Sequence, residues 1–227
     1  MDAKEISRIF YRDGYQLAHA HLQEGIVADK LPQAIMQLYE AVDGLLEAFL
    51  NRTIQEGKPA DCRKGCSWCC RQAVFGVTHE FLYIMAYLRE RLSAEEQHRI
   101  LDLAKSNSEV TMPASPEELL RNRLSCPFLE KGICRVYEVR PMACRIYLSS
   151  SEMACRRDHE NPGDEQQFQE LFEFPLRAGR MLNEGFVAYL KQRGLKVREL
   201  PIEQGVSQMA ETGMTFRGWV DNRNHTL

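Results

Sequence analysis

Residues 31–51, "LPQAIMQLYEAVDGLLEAFLN", place apolar side chains at Leu31, Ile35, Leu38, Val42, Leu45, Leu46 and Phe49, with polar residues between them. Steps of three and four return to one side of an α-helix, so this stretch predicts an amphipathic helix whose apolar stripe faces a core. A second helix is expected from about Ala3 to Gln23, with Ile6, Ile9, Phe10 and Leu17 on one side. Further on, Thr78 is expected to cap a helix that runs to about Leu92. Ser93 opens the next, with Glu96 completing a capping box, and "SPEEL" at 115–119 repeats the start signal with Ser115 as N-cap, Pro116 first in the helix and Glu118 two places on. A last long helix is predicted over about Gln166 to Arg193, bent at Pro175 and ending near Gly194. Strand signals are short: "QAVFGVT" (72–78), "ICRVY" (133–137) and "LKVREL" (195–200). The expected fold is mainly α, with irregular cysteine-rich metal-binding loops and at most a few short strands. No linker or repeat divides the chain, so residues 1–227 are read as a single domain.

Composition narrows the function classes. An apolar content of 44% in 227 residues can bury a core without covalent staples. Twenty-nine basic and 32 acidic residues leave a net charge of −3, which gives the whole chain no electrostatic footprint for nucleic acid. No run approaches the length of apolar sequence that spans a membrane. The opening "MDAKEISRIFYRDGY" has charges of both signs and no apolar leader core, so a cytoplasmic, reducing location is expected.

In that setting the eight cysteines are the main chemical signal. They fall as Cys62-x3-Cys66-x2-Cys69-Cys70 and, after the 55 residues 71–125, as Cys126-x7-Cys134-x9-Cys144-x10-Cys155. Cytosolic thiols stay reduced, so a disulfide framework is the minority reading and metal or redox chemistry the leading one. Burial as small apolar residues would account for Cys134 or Cys155 alone, but poorly for four cysteines in the nine residues 62–70. Tetrahedral zinc and cubane iron–sulfur clusters each take four thiolates, and the chain offers four plus four. Successive side chains are expected to diverge, so one of Cys69 and Cys70 is assigned to a second site or to a second metal in a shared cluster. Around the thiols stand Arg63, Lys64, Arg71, Lys131, Arg135, Arg140, Arg145, Arg156 and Arg157, and cations of this kind favour thiolate. Any one of them can equally belong to a solvated basic surface.

"CRKGCSWCC" (62–70) followed by "CPFLEKGICRVYEVRPMACRIY" (126–147) resembles the YkgJ-type cysteine-cluster family, described as zinc- or iron-chelating domains with eight characteristic cysteines. The resemblance spans Cys62 to Cys155 and extends to Pro127, Phe128, Leu129, Gly132, Tyr137, Arg140, Pro141 and Arg145. The family's shorthand has two residues between the first pair of cysteines where this chain has three. The resemblance implies metal chelation through Cys62, Cys66, Cys69, Cys70, Cys126, Cys134, Cys144 and Cys155, with iron–sulfur or zinc as the cofactor.

Only Cys66-x2-Cys69 forms a zinc-ribbon knuckle, whereas C-x3-C-x2-C spacing and the Cys126–Pro127 pair are at home in iron–sulfur loops. The loop also fits the C-x3-C-x-aromatic-C pattern of radical S-adenosylmethionine enzymes, with Trp68 at the aromatic position. Those loops leave a strand of a β/α barrel, and the helices expected here do not provide one. Trp68 is more simply an aromatic that shields a cluster from water. His159 is a substitute ligand or a surface histidine, and His79 and Asp61 are candidates for supporting the ligands. Three classes stay open: a metal or redox module serving an unidentified protein partner, an iron–sulfur enzyme (the flagellin lysine methylase group resembles this region), and a zinc-stabilised interaction domain.

Overall fold

The structure is a computed structural model and describes residues 2–164 and 169–222. Two long helices open the chain, α1 (Ala3–Leu22) and α2 (Leu31–Gln55). The stripe predicted for α2 is the buried one, since Leu31, Ile35, Leu38 and Val42 have no exposed surface. Next come the short strand β1 (Phe75–Val77), α3 (Thr78–Arg91), α4 (Ala94–Thr111) and α5 (Pro116–Arg121). A small hairpin, β2 (Leu129–Glu130) and β3 (Ile133–Cys134), leads into α6 (Met142–Ile146) and α7 (Glu152–Glu160). The chain closes with α8 (Glu173–Gln192), β4 (Glu199–Pro201), α9 (Ile202–Thr212) and α10 (Phe216–Asp221). The architecture is mainly helical, and among the described residues the sheets are two antiparallel pairs, β1 with β4 and β2 with β3.

Several starts and stops follow from local chemistry. Ser93 with Glu96, and Ser115 with Glu118, form the two capping boxes expected of them. Thr78 is not a cap: it is the first residue of α3, and its hydroxyl pairs with the backbone of Arg198, donating to the carbonyl at 3.3 Å and accepting from the N–H at 2.9 Å. The cap is supplied instead by Glu80, whose Oε2 accepts the Val77 N–H at 2.9 Å. Pro175 does not bend α8. It lies in the first turn, where a missing N–H breaks no helical bond, so the helix begins at Glu173. The earlier start expected at Gln166 falls outside the described residues. The hairpin turn Lys131–Gly132 has φ of +49° and +78°, the paired left-handed residues of a two-residue turn.

The tightest packing joins α1 to α8. They run in the same direction, with Phe10 against Phe174 near one end and the Gln23 carbonyl accepting from Arg193 at the other. Glycine makes the approach possible: a Cβ on Gly14 would lie 1.9 Å from the Leu182 carbonyl oxygen, and one on Gly185 would lie 1.9 Å from that of Tyr11. The fully buried residues of α1 are therefore Ala18 and Leu22, in line with Gly14, while Ile6, Ile9, Phe10 and Leu17 remain half-buried.

His79, expected near the cysteines, sits elsewhere. It has no exposed surface, its ring lies 5.3 Å from that of Phe186 on α8, and neither ring nitrogen has a hydrogen-bond partner. Burial without a partner penalises the imidazolium and pushes its pKa down to about 3.

Two predictions come from this packing. Gly185→Ala should lower stability by roughly 1–3 kcal/mol through overpacking, although alanine is the better helix former. Gly44→Ala, on α2 with nothing within 4 Å of its added Cβ, should raise it by about 0.5–1 kcal/mol, and urea melts compare the pair. For His79 the folded pKa lies below the unfolded one. The unfolded chain therefore takes up the proton first, and this contribution is complete above about pH 6.5 and lost toward pH 3. Across that window His79→Leu should flatten the fall in unfolding free energy by up to about 1.4 kcal/mol per pH unit relative to the native chain.

Candidate metal centre

The first cysteine block is an irregular loop after α2. Gly65, with φ of +90°, lets the chain turn so that the Cys66 N–H reaches the Arg63 carbonyl at 3.0 Å. Cys69 and Cys70 follow in a single 3-10 turn, Trp68–Arg71. The second block meets this loop through the backbone, where the Cys126 N–H donates to the Cys70 carbonyl at 2.8 Å. The β2–β3 hairpin sets Cys134 near Cys126, α6 carries Cys144 and α7 carries Cys155. Ser149, almost fully buried, joins the blocks again: its N–H reaches the Cys62 sulfur at 3.3 Å, and its hydroxyl is set at the start of α7 by the Ser151 N–H and by the Ser151 and Glu170 carbonyls at 3.0 Å. All eight cysteines are thus gathered into one region, from positions up to 93 residues apart (62 to 155).

Seven of them, Cys155 being the exception, line one open cleft of about 2240 Å³. Cys155 faces a small adjoining recess together with Cys69, Trp68, Tyr147 and His159. Backbone N–H groups two residues ahead point at three sulfurs, from Trp68 to Cys66, Phe128 to Cys126 and Val136 to Cys134. Such bonds favour the thiolate and fix the direction of its lone pairs. Cys70 is the first cause of the rise in the Cys69 thiol pKa. In a 3-10 turn successive side chains are separated by about a third of a revolution, not the half revolution of a strand.

Burial is the leading reason that the pKa of Cys62, Cys66, Cys126, Cys134, Cys144 and Cys155 is raised, and crowding by neighbouring thiols adds to it. At Cys69 the Cys70 thiol comes first, then burial. Of the basic residues picked out by sequence, Arg140 is the one that opposes this rise at three thiols, Cys69, Cys134 and Cys144. Arg63, Arg135 and Arg156 are engaged by Glu152, Glu96 and Glu160. The protein's own cations therefore leave most of a thiolate set uncompensated, which is the electrostatic setting a bound cation would satisfy.

The donor chemistry fits a thiolate-bound metal. The spacing is looser: among the described residues no three His, Cys, Asp or Glu side chains stand close enough to share an ion. Tetrahedral zinc thiolates bring sulfurs to roughly 3.8 Å from one another, as Zn–S bonds of about 2.3 Å require. Neutral thiols have no attraction that would hold them at that distance.

Residues 61–171, just under half of the chain, match the family model CxxCxxCC, described as a "putative zinc- or iron-chelating domain". The cysteine region is similar to this family. No curated protein and no solved structure matches the chain. The matched region begins at Asp61, whose backbone N–H donates to the Ser149 carbonyl at 2.9 Å and whose carboxylate accepts from the Glu152 N–H at 2.8 Å. Asp61 thus ties the first loop of the domain to the start of α7. Trp68 serves the same joint, donating from Nε1 to Glu152 at 3.2 Å with its ring 5.4 Å from that of His159. His159 is consequently half-buried, with Nδ1 enclosed and unpartnered, where the simpler sequence reading had a surface histidine.

One residue important to the cysteine region gave a misleading signal. Arg145 was grouped with the cations around the thiols, yet its side chain is only 1% exposed and turns toward the helices. It pairs with Asp43 at 2.5 Å, lies 4.0 Å from the Tyr39 ring centre, and donates to the carbonyls of Glu138 and Arg140. Those two carbonyls belong to the segment between Cys134 and Cys144, so the guanidinium fixes its shape. Arg145→Met should cost about 3 kcal/mol of stability and reduce the metal retained per chain. Arg145→Lys should recover little, because an ammonium cannot span both carbonyls and the carboxylate as the planar fork does. Urea melts and metal analysis of both variants check this, and full rescue by lysine would show that charge alone matters.

Proposed function

We propose that this protein chelates a transition metal through Cys62, Cys66, Cys69, Cys70, Cys126, Cys134, Cys144 and Cys155, holding iron as an iron–sulfur centre. The observation that carries the reading is the gathering of all eight free thiols from two distant blocks into one region, with backbone N–H groups directed at their sulfurs. The C-x3-C-x2-C spacing and the Cys126–Pro127 pair support iron. Zinc is the second reading, favoured by the same all-sulfur donor set and by the family description.

The resident metal would supply a redox centre if it is iron–sulfur, or a structural tie between the two blocks if it is zinc. The protein's part is to bind and shield it. Helices α2, α3 and α8 form the rigid backing, Arg140 offsets thiolate charge, and the open cleft leaves the centre reachable by a protein or redox partner. We read the whole chain as one domain in a reducing, cytoplasmic setting, with residues 62–155 as its metal-binding part. The radical-enzyme reading of "CRKGCSWC" loses its support, since the described residues contain no parallel strands from which a β/α barrel could be built. No helix among the described residues is long and apolar enough to cross a membrane.

Anaerobic purification with metal analysis and visible absorption tests the proposal. Brown protein with iron and acid-labile sulfide is the expected result. Colourless protein with stoichiometric zinc and no iron would give the site to zinc, and protein that binds neither metal would overturn chelation altogether. Cys66→Ser should lower metal content and stability together.

A further inference from the structure

The hairpin that carries Cys134 has two unlike faces. Residues directly opposite each other across a sheet share a side, and neighbours along a strand alternate. Leu129 and Cys134 are such a pair, and both line the cleft. Glu130 and Arg135 belong to the other side, where they meet Glu96 and Arg99 of α4.

Four charges alternate along that contact. Arg135 pairs with Glu96, its Nε lies 3.4 Å from Glu130, and Glu130 lies 3.6 Å from Nη2 of Arg99. Glu96 serves two elements at once. Its Oε2 accepts from the Ser93 N–H at 3.0 Å and the Ser93 hydroxyl at 2.9 Å, closing the capping box of α4, while its Oε1 takes Arg135. Around Glu130 the attraction is one of charge alone, because Arg135 Nε and Arg99 Nε and Nη2 are enclosed without a hydrogen-bond partner. Each of the four side chains is 28–35% exposed, so dissolved ions reach the network and screen it.

The rest of the hairpin is held differently. Its base is apolar and deep, with Phe128 and Val136 almost wholly buried and the Arg135 N–H donating to the Phe128 carbonyl at 2.9 Å. Its tip rests on the first cysteine loop, since a Cβ on Gly132 would lie 3.6 Å from the Gly65 carbonyl oxygen. Salt does not weaken such contacts, so the side facing α4 is the one that ionic strength can loosen.

We propose that Glu96 and Arg99 are positioning residues for Cys134: with Glu130 and Arg135 they form a salt-sensitive latch that holds the hairpin against α4 and governs how often the Cys134 thiol is exposed. Releasing the latch leaves the hairpin anchored at its base and tip, and the half-buried thiol on its far face opens to solvent more often. The inference goes beyond chelation, because it concerns the element that presents one thiol and not the metal that the thiols hold.

The test labels the full-length, reduced chain with a short pulse of iodoacetamide, an uncharged reagent, with no metal added, and maps the modified cysteines by mass spectrometry. Cys66, on the loop after α2, is the internal standard. Between about 0.01 M and 1 M NaCl the screening length falls from roughly 30 Å to 3 Å. Over that range labelling of Cys134 relative to Cys66 should rise about three- to five-fold, the scale of one exposed ion pair. Glu96→Gln keeps the capping box, since glutamine also serves at that position. Its Cys134 should be fast at low salt and respond little to added salt. Arg99→Gln should shift the ratio in the same direction, and Arg99→Lys should stay close to the native chain because charge alone acts there. A native chain whose Cys134-to-Cys66 ratio does not rise with salt would overturn the latch. So would a Glu96→Gln chain with native helical circular dichroism that keeps the native ratio and salt response. The salt series needs no variant to fold, and its outcome leaves the chelating function to its own test.

Discussion

The buried carboxylate of Glu80 is the junction on which the cysteine region rests. Its residue is 1% exposed, and its oxygens accept from the Met142 N–H at 2.7 Å, the Val77 N–H at 2.9 Å and the Tyr39 hydroxyl at 3.2 Å. Three elements are fixed at once: the start of the short helix carrying Cys144, the start of α3, and the middle of α2. Burial raises the pKa of this carboxyl, and the hydrogen bonds and nearby Arg145 oppose the rise. Arg145 completes the junction from the other side, with Asp43 and the Tyr39 ring on α2. A half-satisfied version of such a network would be worse than an apolar one, which is why each polar atom here reaches a partner.

This polar junction explains how a helical body can support a region with little regular structure of its own. The cysteine loops are short of strand and helix hydrogen bonds, so their position comes from a few directed contacts. Glu80 and Arg145 act from the helices, while Ser149 and Asp61 act between the two cysteine blocks. The α1–α8 pair, locked by Gly14 and Gly185, supplies a rigid platform beneath them.

Much of the helical fold was legible because its signals are local. The 31–51 stripe, the Ser93–Glu96 and Ser115–Glu118 boxes and the stop at Gly194 each rest on neighbouring residues. What escaped depended on distant partners. The last part of the chain gave weak signals, yet Ile202, Val206 and Met209 face the core of a real helix, α9, whose glycine Gly205 lets it press onto Phe81 of α3. The start of α7 was also missed, although Ser151 caps it, because the cysteine-rich sequence was expected to form irregular loops. For the site, the residue type and spacing identified the thiols. Their grouping, the inward turn of Arg145 and the placement of His79 in the core depended on how the chain closes, which no local pattern records.

The hydrogen bond from Cys126 to the Cys70 carbonyl closes a segment of 55 residues, 71–125, containing α3, α4 and α5. A covalent cross-link over that span would remove about 4 kcal/mol of chain entropy from the unfolded state. The donor set is therefore a product of folding and cannot precede it. Neither cysteine block holds all eight sulfurs, and three helices lie in the chain between them. The first four thiols are synthesised well before the last four, so the eight can come together only once the second block has been made.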